Sequence, residues 1–222
     1  DVAGMPTTAA CPAFAYTPAA DAHAVRLLRE AGALIVGKTN LDQFATGLVG
    51  VRTPYPVPRN ALDPALVPGG SSSGSAVAVA HRLVSFALGT DTAGSGRVPA
   101  ALNGVVGWKP SPGAISTRGV VPACRTLDCV SVFAPSVDDA WHATAVLAAY
   151  DAADPYARRR PLRPAGGSPT GLAVGVPDAA SRRFFGDAVQ EAAFARDLEA
   201  LDALGCRLHP LDFTPFYAAA AR

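Results

Sequence analysis

Apolar and polar positions change period several times along this chain, and each change predicts an element. Residues 21–31 (DAHAVRLLREA) carry apolar side chains at helical spacing, with Asp21 as N-cap and Gly32 as C-cap. The unbroken apolar run 33–36 (ALIV) predicts a short buried strand, and residues 40–45 predict another helix start. The proline-rich stretch 53–70 predicts an extended loop. The small polar residues 71–74 lead into the Ala/Val-rich segment 75–82, expected as a buried helix. Residues 84–88 read as a buried strand, 89–96 as a glycine- and threonine-rich turn, 97–102 as a short helix and 105–108 as a strand. Ser136 and Asp139 form an S-x-x-D start for a helix over 137–150. Residues 151–168 form a proline/arginine linker. After it come a strand at 172–176, a helix over 187–204 closed by Gly205, a strand at 207–211 and a last helix from about Phe213. Strands alternating with helices predict an α/β fold, with no internal repeat.

Composition narrows the class. Of 222 residues, 50% are hydrophobic and 17% charged, a globular balance with material for a substantial core. The formal net charge of +1 points to no polyanionic partner, so no nucleic acid is expected. The basic run 158–160 sits beside prolines and reads as a solvated loop. Cys11, Cys124, Cys129 and Cys206 form neither a CxxC pair nor a zinc-type spacing, so neither metal nor organic cofactor is expected. Scattered cysteines imply free thiols and a cytoplasmic, reducing compartment. The most apolar stretch, 75–88, is broken by His81-Arg82 and too short to span a membrane. The chain begins Asp1-Val2 without Met and ends mid-helix at 218–222, so both ends read as excision points.

Two short motifs fail on context. Residues 32–39 (GALIVGKT) match GxxxxGK[ST], but their middle is a strand-like apolar run in a helix-strand-turn order, unlike an open phosphate loop. Residues 70–74 (GSSSG) match GxSxG and would make Ser72 a nucleophile. No apolar strand leads in, however, and none of the later His81, His142 and His209 sits in a turn-like setting.

The pair of segments 68–75 (PGGSSSGS) and 89–100 (GTDTAGSGRVPA) says more. Flexible linkers are the bland reading, but both are embedded between apolar runs. Glycine-rich turns let backbone approach a ligand, and successive N–H groups there can face one concavity and stabilise an oxyanion. A serine in such a turn is a reasonable nucleophile if a base is near.

These segments resemble the signature of the amidase signature family, GGSS[GS]G followed by G-[ST]-D-x-[GA]-G-S-x-R-x-P, with a 24-residue step from Ser71 to Ser95. Residues 37–40 (GKTN), 104–110 (GVVGWKP) and 116–122 (STRGVVP) fit the same family. The resemblance implies a central mixed β-sheet covered by helices on both faces, with 1–222 as the catalytic domain, truncated at both ends, and 151–170 as an internal linker. It implies amide hydrolysis by a Ser–cis-Ser–Lys triad: Ser95 as nucleophile, Ser71 as relay after a cis Gly70–Ser71 peptide, and N–H groups of Thr92, Ala93, Gly94 and Ser95 as oxyanion hole. Asp91 and Arg97 would support the nucleophile and Ser72 would orient Ser71. Lys38 and Lys109 are the two lysines of the chain and fall in other family motifs. The catalytic lysine is therefore expected upstream of Asp1, and the fragment alone is expected to be inactive.

Gly96 follows the nucleophile where most of the family carries a bulkier aliphatic residue. With residues 11–18, 90–100 and 116–134, this resembles the allophanate hydrolase branch, which acts on a small carboxylated urea. Arg118 and Arg125 are candidates to hold an anionic substrate but read first as structural. A general amidase or the amidase component of a tRNA amidotransferase is the alternative within the family, and a non-catalytic scaffold the alternative outside it. The expected partner is a small-molecule amide; a homodimer and a fused or partner urea carboxylase stay open.

Overall fold

A computed structural model describes residues 1–159 and 166–221. The chain divides into two compact units, Asp1–Arg163 and Pro164–Arg222.

The first unit is built on a three-stranded antiparallel sheet of order β1-β3-β2, with β1 at Ala87–Thr90, β2 at Val106–Trp108 and β3 at Val130–Ala134. All five residues of β3 are buried. Side chains alternate across a strand, so β3 serves two cores. Val130, Val132 and Ala134 pack with α1 (His23–Glu30) and α4 (Val137–Leu147) through Ala24, Leu28, Ala140, Ala143 and Leu147. On the opposite face Phe133 packs with Ala76 and Val79 of α2 (Ser73–Ala80) and Ala100 of α3 (Arg97–Leu102). This second face carries the site.

Local chemistry sets the ends of α4. Ser136 Oγ accepts from Asp139 N at 3.1 Å and donates to Asp139 Oδ2 at 2.6 Å, which satisfies an N–H that the helix itself cannot pair. Helix α3 contains Pro99 within its first turn, where a missing N–H costs no helical bond.

In the second unit β4 (Ala173–Pro177) and β5 (Arg207–Leu211) form a parallel pair joined through α5 (Ala188–Ala203), and α6 (Thr214–Ala220) follows. Asp187 Oδ1 accepts from Gln190 N at 2.9 Å to cap α5, and Gly205, at φ +80°, turns the chain out of it. No helix among the described residues is long and apolar enough to cross a membrane.

Several expectations need correction. Residues 33–36 form no strand: Leu34 is 90% and Val36 75% exposed, and apart from Ala33 N, which bonds Leu28 O, the run makes no backbone pairing. An apolar run becomes a strand only where another strand pairs with it. Residues 40–45 yield a single 3-10 turn, Gln43–Ala45, because Phe44 adopts φ +50°. Asp21 does not cap α1; its carboxylate accepts from Ala3 N at 2.7 Å and pairs with Arg29 at 2.9 Å. The strand expected at 84–88 starts at Ala87 and takes in Gly89 and Thr90 from the expected turn. The central strand β3 was not expected at all. Of the linker at 151–170, residues 160–165 lie outside the described residues, and with them Arg160 of the basic run.

Candidate active site

Two turns meet above the second face of the sheet. The first, residues 69–72, enters α2. Gly70 N donates to Leu48 O at 2.9 Å, the Gly70–Ser71 peptide is cis, and Ser71 O accepts from Asp42 N at 2.9 Å. Side chains are excluded here: a Cβ on Gly70 would collide with Asp42 Oδ2 and lie 2.6 Å from Gly50 N. Ser72 Oγ lies 3.2 Å from both the N and the O of Thr90 and so ties this turn to β1.

The second turn, residues 91–97, leads from β1 into α3 and carries Ser95. Asp91 organises it from below. Its buried carboxylate accepts from Gly94 N at 2.7 Å, from Gly96 N and Arg97 N at 3.1 Å, and from the Arg97 guanidinium at 2.9 and 3.0 Å. Burial opposes ionisation of Asp91, but the Arg97 side chain and the Gly94 and Arg97 N–H groups outweigh it and hold the pKa at about 2. The two-pronged Arg97 contact is the strong geometry for a carboxylate.

The turns are joined directly: Ser72 N donates to Ser95 O at 3.2 Å. Ser95 is 5% exposed and Ser71 fully buried. Among the described residues Ser71 Oγ has no hydrogen-bond partner, so the two hydroxyls are not bonded to one another. Buried hydroxyls are nearly always paired, which marks Ser71 as an exception that needs a reason.

Among the described residues, the N–H groups of Thr92, Ala93 and Ser95 have no acceptor, and Thr92 and Ala93 reach the surface. Gly94 departs from the four-donor expectation. Its N–H is held by Asp91 and is not open to an oxyanion. The side-chain hydroxyl of Thr92 donates to Asp128 Oδ1 at 2.5 Å.

Neither lysine reaches the serines. Lys38 Nζ donates to Thr7 Oγ1 at 2.6 Å, and Thr7 Oγ1 donates to Asp1 Oδ1 at 2.7 Å. Burial pushes the Lys38 pKa below its usual value. Lys109 Nζ donates to Pro110 O at 3.2 Å. Arg118 is held by Asp151, Nε to Oδ2 at 2.8 Å, in a cluster with His23. Arg125 is exposed and lines a small cleft with Tyr156 and Arg158. No group of three or more His, Cys, Asp or Glu side chains among the described residues is arranged to hold a metal.

Three contributors escaped the sequence reading. Asp42 is fully buried and accepts from Gly50 N at 2.9 Å and Arg52 N at 2.7 Å, which fixes that stretch of loop against the first turn. Asp128 also accepts from Ala123 N and Cys124 N at 3.0 Å. Ser131 lies in β3 beneath the second turn. A lone acid in a loop gives no periodic signal, and a serine within an apolar strand looks like dilution.

Comparison with known proteins agrees with this geometry. Residues 1–221 match the Amidase family. The urea amidolyase of Lachancea kluyveri is 48% identical over 99% of this chain and 12% of its own length. A glutamyl-tRNA(Gln) amidotransferase subunit from Methanospirillum hungatei is 41% identical over 90% of this chain and 46% of its own. Among solved structures, Kluyveromyces lactis allophanate hydrolase superposes with a TM-score of 0.94 at 47% identity, covering all of this chain and 36% of that one. The chain thus spans from about an eighth to under half of the relatives it matches. A turn clamped around a serine by a buried Asp and its Arg partner, the amidase-signature α/β fold and this identity over nearly the full length lead to one conclusion: the chain belongs to the Amidase family.

Proposed function

We propose that this chain is the nucleophile-bearing part of an allophanate hydrolase, using Ser95, Ser71 and a lysine from elsewhere in the intact protein. The observation that carries this reading is the Asp91–Arg97 turn: the Asp91 carboxylate holds the N–H groups of Gly94, Gly96 and Arg97, Asp91 N bonds Cys129 O, and among the described residues those of Thr92, Ala93 and Ser95 stay open.

In this mechanism Ser95 Oγ attacks the amide carbonyl carbon. Its proton passes to Ser71 Oγ, whose own proton goes to a neutral lysine. The N–H groups of Thr92, Ala93 and Ser95 receive the negative charge that forms on the carbonyl oxygen; losing one such donor costs about 10²–10³ in rate. The proton returns to the leaving nitrogen as ammonia departs, and water then cleaves the acyl-serine ester. The unpaired Ser71 hydroxyl supports a relay that is incomplete within these residues, since Lys38 and Lys109 are engaged elsewhere. The 222 residues alone are then inactive. Apo geometry at such sites is often loose and tightens with substrate, which accommodates the missing Ser71–Ser95 bond.

Similarity to urea amidolyase and to allophanate hydrolase supports allophanate as substrate, and a fused or partner urea carboxylase as its source. The 41% identity to an amidotransferase component favours a second reading, hydrolysis of glutamine or a simple amide. The four cysteines are all free, which supports a reducing, cytoplasmic setting. Ammonia release by the intact gene product decides between these. Allophanate turning over at least about tenfold faster than glutamine or acetamide supports the first reading. The reverse order supports the second. No turnover of any amide, with no labelling by a serine-reactive fluorophosphonate, leaves a non-catalytic scaffold.

A further inference from the structure

We infer that Ser131 is a positioning residue for the nucleophile: its side chain occupies the space beneath the Ser95 turn that a side chain at Gly96 would need, and so sets the height of Ser95 above the sheet. The inference rests on Ser95 being the nucleophile.

Alternation along β3 turns Val130 and Val132 toward α1 and α4, and Ser131 and Phe133 toward the side of the catalytic turn. Ser131 is fully buried. A Cβ on Gly96 would lie 2.6 Å from Ser131 Oγ, 2.9 Å from Ser131 Cβ and 3.1 Å from Asp91 Cβ. The turn therefore rests on Ser131 through bare backbone. The flanking strands are bare as well. Gly89 of β1 pairs opposite Ser131, and a Cβ there would meet Ser72 Oγ at 2.6 Å. Gly107 of β2 lies under the start of α3, where a Cβ would come within 2.8 Å of Gly96 O. Gly89 pairs opposite Ser131 and Gly107 opposite Phe133, so at the Gly96 contact Ser131 is the β3 position whose side chain meets the turn.

The hydroxyl of Ser131 makes no hydrogen bond among the described residues. A buried, unpaired hydroxyl does not favour folding over a methyl group, so its contribution at this position is size and contact. Gly96 N and Arg97 N both bind Asp91, so any lift at Gly96 moves the clamp and Ser95 together. A misplacement of about 1 Å at a reacting atom costs on the order of 10²-fold in rate.

The test uses the intact gene product, with kcat and KM for allophanate, the rate of fluorophosphonate labelling and Tm measured on each variant. Ser131→Val and Gly96→Ala, which both overfill the contact, are expected to lower kcat and the labelling rate by about 10²-fold with KM little changed. Ser131→Ala, which keeps Cβ, is expected to cost the least. The double variant Gly96→Ala/Ser131→Gly restores the space and is expected to regain most of what Gly96→Ala loses. This pair carries the test even where Ser131→Val does not fold. Equal losses in the single Gly96→Ala and the double variant overturn the inference, as does a fall in Tm with unchanged kcat. Ser95→Ala is the separate control. If it still labels and turns over, the assignment of the nucleophile fails; if it is silent while the Ser131 series stays at wild-type rates, only the positioning inference fails.

Discussion

Thr92 and Asp128 are joined by a 2.5 Å hydrogen bond that ties the turn before Ser95 to the loop leading into β3. Asp128 is 36 residues further along the chain and accepts from Ala123 N and Cys124 N as well. The direction of the Thr92 N–H therefore depends on a loop distant in sequence. Asp128→Ala is expected to lower kcat for allophanate by about tenfold to a hundredfold, and to cost about 1–3 kcal/mol of stability through the donors it strands. Thr92→Val keeps the N–H and removes only this bond. It is expected to lower kcat with a smaller loss in urea denaturation, and wild-type kcat in both variants would contradict the coupling.

Asp91 gives the acid side of the stability profile a defined window. Its pKa is about 2 in the folded chain against an ordinary 3.8, so the folded state binds its proton less readily. Its contribution to stability is thus complete above pH 3.8 and is lost as pH falls from 3.8 toward 2. Asp91→Asn is expected to unfold at lower urea concentration at neutral pH, and to show a flatter dependence on pH across that window. An Asn variant as steep as the wild type there would contradict the assignment.

His23 acts near neutrality. Burial, with Arg26 and Arg118 nearby, outweighs the attraction of Asp151 and Glu30 and pushes the imidazole pKa below its usual 6.5. The folded state prefers the neutral ring, so this contribution is present above pH 6.5 and is lost as pH falls below it. Its imidazole resonance is expected to titrate below 6.5 in NMR, with Tm falling over the same range. A titration above that value would mean that Asp151 dominates instead.

Gly70 has no room for a side chain. Its Cβ would run into Asp42 Oδ2, whose carboxylate is already committed to Gly50 and Arg52. Gly70→Ala is expected to destabilise by about 3 kcal/mol, at the upper end for overpacking. Chemical denaturation measures this, and a loss below about 0.5 kcal/mol, the level of a neutral surface change, would contradict the packing.

Ser136→Ala removes the N-cap of α4 and is expected to cost about 1 kcal/mol. The S-x-x-D pattern announced this cap, because capping is a contact within four residues. The helices expected at 187–204 and 97–102 also appear, within a residue at each end. Cap, periodicity and turn chemistry are local, and the sequence displays them where no distant group competes, as Ala3 N does for Asp21.

Other features depended on partners remote in the chain. Residues 33–36 have the composition of a strand, yet nothing pairs with them here, and Leu34 and Val36 face solvent. Gln43–Ala45 broke off because Phe44 took a left-handed backbone, whereas β3, hidden in an apolar run after Asp128, became the centre of the sheet. The family resemblance pointed to Ser71, Ser95, Asp91 and Arg97. It could not reveal that Asp91 would take the Gly94 N–H away from the expected donor set, nor that Asp42, Asp128 and Ser131 would support the two turns.

By itself, the sequence determined the family, the two turns and the helices whose caps are local. Only the tertiary structure decided which N–H groups stay open, which strand is central and what the Ser95 turn rests on. The physical reason is reach: periodicity and capping act within one or two helical turns, while contacts that join the two turns to the rest of the site link residues 18 to 36 positions apart, as in Ser72 with Thr90 and Thr92 with Asp128.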